Sequence, residues 1–103
     1  MAEDVLVVLT GDMTSIEAGH LKKDIADALA GATARQLIID MAQVPFIDSA
    51  GLGVLVSAYK RMRQLDGRVR LRGVQPRVRS VLDTTRMSQI FEIEDAPAGG
   101  GSA

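Results

Sequence analysis

The feature of this sequence that most restricts its fold is a regular alternation of short apolar runs with longer segments of helical periodicity. The apolar runs occupy residues 5–9, 36–41, 69–73 and 90–93. Between them, hydrophobic residues recur at three- and four-residue spacing over residues 14–30, 51–65 and 75–85, as in amphipathic helices. The alternation predicts an α/β domain with a mostly parallel, four-stranded sheet and right-handed crossovers.

The apolar runs differ in how they are expected to be buried. The first, VLVVL at residues 5–9, is continuously apolar and rich in β-branched residues, which predicts a strand buried on both faces. The second, QLIIDM at residues 36–41, is predicted to be another buried strand, covered like the first by helices. The third alternates arginine with Val69 and Leu71, which indicates a strand with one solvent-facing side.

Length and composition fit one small domain. The chain has 103 residues, of which 47% are hydrophobic, and this is enough for a single core. We predict that residues 1–94 form the domain and that residues 95–103, which end in APAGGGSA, form a flexible tail. The sequence contains no cysteine, which excludes disulfides, thiolate nucleophiles and the common zinc frameworks.

The N-terminal residues bear on where the protein acts. Glu3 and Asp4 stand where a signal peptide would carry positive charge. No apolar run approaches the ~20 residues that a helix needs to span a bilayer. We therefore expect a cytoplasmic protein that does not associate with a membrane.

Basic residues are concentrated in residues 60–86, where nine lysines and arginines accompany only Asp66 and Asp83. This segment is either a surface for an acidic partner or the solvent-facing side of ordinary helices and strands. Nucleic-acid binding is disfavoured, because the basic residues are not interleaved with aromatic ones and no base-reading motif is present. The only histidine, His20, lacks an acid–base partner nearby in sequence and is interpreted as a surface or packing residue.

The most informative motif, FIDSAGLGVL at residues 46–55, leads from a loop into the second helix. Asp48 and Ser49 both suit an N-cap, since a short side-chain oxygen can accept a hydrogen bond from a first-turn N–H. A phosphate on Ser49 would then lie at the positive end of the helix dipole, near N–H groups that lack partners. The alternative is structural, because Asp-Ser often precedes a helix and Gly51 and Gly53 can serve close packing alone.

The parallel topology places this motif beside a second loop. Residues 11–14 and 42–50 follow the first two strands and are expected to emerge at the same edge of the sheet. Asp12, Thr14 and Ser49 are therefore predicted to share one surface. Nucleophilic catalysis by Ser49 is disfavoured, because no histidine or lysine base lies nearby in sequence.

Residues 46–55 resemble the phosphorylation-site signature of STAS-domain anti-sigma factor antagonists. The resemblance covers residues 5–93 and includes the separation between Thr10-Gly11 and Asp48-Ser49. It implies a single STAS-like domain in which Ser49, the serine directly after the aspartate, is phosphorylated. It also implies a partner-binding surface made of Asp12, Thr14, Asp48, Ser49, Ala50, Gly51 and Leu52.

The resemblance implies a binding protein rather than an enzyme, without cofactor or metal. In the unphosphorylated form, such a domain binds an anti-sigma factor that is also a serine kinase, and thereby frees a sigma factor. The kinase phosphorylates the domain and releases it, and a metal-dependent Ser/Thr phosphatase restores it. The alternative is a constitutive STAS interaction subunit of a signalling or transport assembly.

The sequence departs from the family pattern at several positions. Thr14 stands where an acidic residue is usual, which favours the constitutive alternative. Ala50 replaces a frequent second serine, and Arg86 stands where glycine often ends the last matched helix. We also expect a shortened domain, without the extra N-terminal strand and the C-terminal helix of many members. An exposed sheet edge or face would invite self-association, so a homodimer is also expected.

Overall fold

The computed structural model describes residues 3–29 and 34–96, which form one sheet of four strands. The strands are β1 (Glu3–Thr10), β2 (Ala34–Gln43), β3 (Arg68–Val74) and β4 (Glu92–Asp95). The helices between them are α1 (Ser15–Leu29), α2 (Ser49–Gln64) and α3 (Pro76–Thr84), and a short 3₁₀ helix (Met87–Gln89) precedes β4. Each strand pairs in parallel with the next one, so the predicted α/β class with a parallel four-stranded sheet is confirmed.

Among residues 3–29 and 34–96, helices cover only one face of the sheet. Because consecutive strands are parallel neighbours, right-handed crossovers carry every connecting helix to the same side. On that side, Leu37, Ile39 and Leu71 are fully buried. On the opposite, open face, Leu6 and Val8 are 53% and 56% exposed. The prediction that the first strand is buried on both faces is therefore wrong, because strand order rather than strand composition decides which faces are covered.

Charged side chains occupy the open face over the second half of the sheet. A guanidinium nitrogen of Arg70 lies 4.0 Å from a carboxylate oxygen of Glu92, and one of Arg72 lies 3.8 Å from a carboxylate oxygen of Asp40. The intervening residues of β3 are buried, so the interpretation of its arginines as a solvent-facing side is confirmed. β2 alternates in the same way, with Ile38 only half-buried on the open face.

Some element boundaries differ from the predicted ones. α2 begins at Ser49, earlier than the predicted start near residue 51. β4 ends at Asp95, and the Ala96 N–H donates a hydrogen bond to the Val74 carbonyl at 2.8 Å. The packed structure therefore continues past the predicted domain limit at residue 94. The rest of the predicted tail, residues 97–103, lies outside the described residues.

We predict that Leu71→Ala lowers the free energy of unfolding by about 2–5 kcal/mol, because it opens a cavity on the helix-covered face. Leu6→Ala makes the same change on the open face and should cost less than about 1 kcal/mol in dilute protein. Urea unfolding followed by circular dichroism measures both values. Equal losses would contradict a sheet covered on one face.

Candidate functional site

The loops that follow β1 and β2 are joined by their backbones at the carboxyl edge of the sheet. Three hydrogen bonds connect them: Gly11 N–H to Gln43 O at 2.9 Å, Met13 N–H to Phe46 O at 2.9 Å, and Asp48 N–H to Met13 O at 3.1 Å. Met13 and Ile47 also form a parallel bridge, and both side chains are buried. Thr14 directly follows Met13, and Ser49 directly follows Asp48, so the structure brings the two loops together and places both residues next to the joined backbones.

The β1 loop turns outward through a glycine. Gly11 has φ +80°, a left-handed conformation that residues with a side chain rarely adopt. This turn directs the chain toward the β2 loop, where Met13 is held. Asp12 is exposed and Thr14 is half-buried, so both lie at the surface of the joined loops.

Asp48 caps α2. Its Oδ1 accepts hydrogen bonds from Ala50 N–H at 2.9 Å and from Gly51 N–H at 3.1 Å, and its backbone is extended, with φ −112° and ψ −171°. The Asp48 carbonyl accepts from Leu52 N–H at 2.9 Å. Of the two candidate caps, the structure therefore selects Asp48, and Ser49 becomes the first residue of the helix, where it is exposed.

This cap changes the electrostatic expectation for Ser49. The sequence predicts that first-turn N–H groups without partners would stabilise a phosphate on Ser49, but two of these groups, those of Ala50 and Gly51, already donate to the Asp48 carboxylate. A phosphate on Ser49 would still lie at the positive end of the helix dipole. It would also lie next to the Asp48 carboxylate, which already accepts from two N–H groups of the first turn, so these two donors are not free to bind the phosphate.

The two glycines of the motif have different roles. Gly51 is buried, and a Cβ built on it would lie 2.7 Å from Ile47 Cγ1 and 2.8 Å from Met13 Cβ. Gly53 is exposed, and a Cβ there would meet nothing within 4 Å. Gly51 therefore has a structural role: without a side chain, it lets α2 approach the β1 loop closely.

An aromatic side chain that was not predicted to be part of the site also reaches its surface. Phe46 is 37% exposed, and the guanidinium of Arg77 lies 5.7 Å from its ring centroid. A cation at this distance from a ring is attracted by the negative face of the π-system. Phe46 belongs to the motif, but the sequence pattern alone did not distinguish it from a core residue. Ala50 and Leu52 are half-buried beside the loops.

Other candidate groups lie away from this arrangement. His20 is exposed on α1, in agreement with its interpretation as a surface residue. Over residues 3–29 and 34–96, no three His, Cys, Asp or Glu side chains are grouped so that they could hold a metal ion. The described helices include none that is long and apolar enough to cross a membrane.

Comparison with known proteins agrees with the fold and the motif. Residues 2–98 match the STAS domain family, so the chain belongs to that family. It is 29% identical over 98 residues to the anti-sigma-B factor antagonist of Bacillus subtilis, a match that covers 94% of this chain and 87% of the relative.

Two solved structures share the fold at lower identity. The phosphorylated form of the Bacillus cell-fate determinant SpoIIAA superimposes with a TM-score of 0.68 at 18% identity, covering 99% of this chain and 92% of the other. A sulfate transporter family protein from Wolinella succinogenes superimposes with a TM-score of 0.78 at 19% identity, covering 92% and 79%. At these identities the likeness shows the fold alone.

We expect Gly51→Ala to destabilise the protein by about 1–3 kcal/mol, because the added methyl group overpacks the contact with Met13 and Ile47. Gly53→Ala provides the matched control at an open helical position and should stabilise by up to about 1 kcal/mol. Thermal and urea unfolding report both changes. A Gly51→Ala protein as stable as the parent would remove the argument that this glycine positions α2.

Proposed function

We propose that this protein is an anti-sigma factor antagonist that acts in the cytoplasm. In the unphosphorylated state it binds an anti-sigma factor with serine kinase activity and so frees a sigma factor. Phosphorylation of Ser49 by that kinase ends the binding, and a Ser/Thr phosphatase restores it. The observation that carries the proposal is the exposure of Ser49 at the start of α2, on a surface formed by the two joined loops. Membership of the STAS family and the relative from Bacillus subtilis support it.

The binding surface is a shallow arrangement of polar and apolar groups. Asp12 and Ser49 are exposed, Thr14 and Leu52 are half-buried, and Phe46 is partly exposed. Aromatic residues and neighbouring apolar side chains contribute much of the binding energy at protein interfaces, while the polar rim excludes water. This composition suits recognition of a protein surface, and we assign the chain a binding role rather than an enzymatic one.

Phosphorylation opposes docking through charge. A phosphate on Ser49 adds about −1.5 to −2 charges at neutral pH. It lies beside Asp48, whose carboxylate already accepts from the Ala50 and Gly51 N–H groups. Bringing this pair of anionic groups to an interface requires removal of their water and adds like-charge repulsion. The cap itself needs no rearrangement, so we expect the free domain to keep its fold when phosphorylated.

Ser49→Asp should weaken binding to the host's anti-sigma factor by roughly tenfold or more, which corresponds to about 1.4 kcal/mol. Ser49→Ala should bind like the parent, because it removes only the hydroxyl. Ser80→Asp adds the same charge at an exposed position of α3 and serves as the control that should not change the affinity. Isothermal titration calorimetry with each variant tests this, and equal affinities for Ser49→Asp and Ser49→Ala would exclude the charge mechanism.

The modification itself is tested by incubating the protein with the host's anti-sigma kinases and ATP. We expect intact mass to rise by one phosphate, peptide sequencing to place it on Ser49, and Ser49→Ala to abolish it. Ser80→Ala should be phosphorylated like the parent, because Ser80 lies outside the joined loops. Phosphate at a different residue, or none with every candidate kinase, would contradict the proposal.

A second candidate is a constitutive STAS interaction subunit of a signalling or transport assembly. Thr14, which stands where an acidic residue is usual, favours it, and the fold of the Wolinella sulfate transporter family protein is compatible with it. The same titration separates the two functions. A partner that binds Ser49→Asp and the parent equally well supports the constitutive subunit.

A further inference from the structure

The two outer strands of the sheet differ in how they protect their unpaired edges. In the described part of the chain, β1 pairs only with β2 and β4 pairs only with β3. β4 is short and carries Glu92, Glu94 and Asp95, and charges of this kind prevent edge strands from pairing with other chains. β1 spans eight residues, and residues 5–9 within it carry no charge. As far as the described residues show, the β1 edge therefore offers backbone donors and acceptors without the usual protection.

The same strand carries exposed apolar side chains. Leu6 and Val8 are 53% and 56% exposed on the open face, and Leu6 lies in register with Ile38 of β2. On the rest of that face the side chains are largely charged, and two ion pairs form within one copy, Arg70 with Glu92 and Arg72 with Asp40. Unpaired backbone groups and exposed apolar side chains thus occur together at β1. An added strand would form hydrogen bonds with the backbone and cover the apolar side chains.

We propose that this added strand is β1 of a second copy, paired antiparallel about a two-fold axis at Val7. In this register Leu6 of one copy lies opposite Val8 of the other, twice, on the open face. Asp4 lies opposite Thr10, so the acidic ends of the two strands are kept apart. Apolar cross-strand pairs of this kind stabilise antiparallel sheets, whereas like charges directly opposite each other destabilise them.

Pairing of β1 with β4 of a second copy, instead of with its β1, is less favourable. Placing β1 against β4 of another copy would bring Asp4 to a strand that carries Glu92, Glu94 and Asp95. That contact is also head-to-tail and would propagate into a ring or a filament of several copies, whereas the β1–β1 contact closes after two copies. Charge and symmetry therefore both select a dimer with one sheet running through both copies.

Sedimentation velocity of the intact chain over a wide concentration range tests the dimer. We expect a reversible monomer–dimer equilibrium that Leu6→Lys weakens at least about tenfold, since the two-fold axis places each new charge in the interface twice. Val8→Lys should act in the same way. Ser80→Lys adds the same charge on α3 and should leave the equilibrium unchanged. Circular dichroism confirms that the variants are folded, which is expected because both substituted side chains are more than half exposed.

Hydrogen exchange locates the contact. Amides of residues 5–9 that do not bond to β2 should become protected as the protein concentration rises, and Leu6→Lys should remove this protection. A protein that stays monomeric at every concentration would overturn the proposal. So would a dimer that survives both Leu6→Lys and Val8→Lys, because its interface would lie elsewhere.

Discussion

The surface proposed for partner binding depends on the backbone contacts of Met13. Its N–H donates to Phe46 O, its carbonyl accepts from Asp48 N–H, and its side chain is fully buried. Breaking such a bond leaves two polar groups without partners, which costs more than the bond itself contributes. Gly51 adds a steric condition, since a Cβ there would overlap Met13. The position of Ser49 is therefore set by the β1 loop as much as by its own helix.

Strand order explains why the apolar surface of this domain collects at one edge. With parallel neighbours in chain order, the three described α-helices lie on one side of the sheet, and alternate residues of each strand face water. On β3 and β4 those residues are arginines and glutamates, of which Arg70 pairs with Glu92 and Arg72 pairs with Asp40 of β2. On β1 they are Leu6 and Val8, next to the unpaired backbone. One added strand can both pair with the free backbone groups of β1 and cover its exposed apolar side chains. A ligand without a backbone edge of its own can cover only the apolar side chains.

Sequence patterns predicted the elements and the joined loops, because hydrophobic periodicity and chain order are local or topological properties. They did not predict which strand faces are buried, which depends on how the elements are arranged. They also did not decide which of two adjacent residues caps a helix. Residues 5–9 show the first limit, since an apolar run does not record whether helices lie on one side or on both. Asp48 and Ser49 show the limit set by competition between neighbours, since both residue types cap helices. In the structure Asp48 is the cap, and its N–H donates to Met13 O of the other loop. Arg86 has φ +62°, which accounts for the glycine that the family pattern favours there.

The cap geometry favours a switch that acts at the interface rather than through refolding. A phosphate on the cap residue itself would take the first-turn donors, and its modification would rebuild the start of the helix. Here the Asp48 carboxylate accepts from the N–H groups of Ala50 and Gly51, and Ser49, the residue that we propose is modified, is the next one. The helix therefore keeps its cap in either state, and the added charge remains at the exposed surface. Because an uncompensated ion costs several kcal/mol to desolvate, a partner can discriminate the two states without any movement in the core.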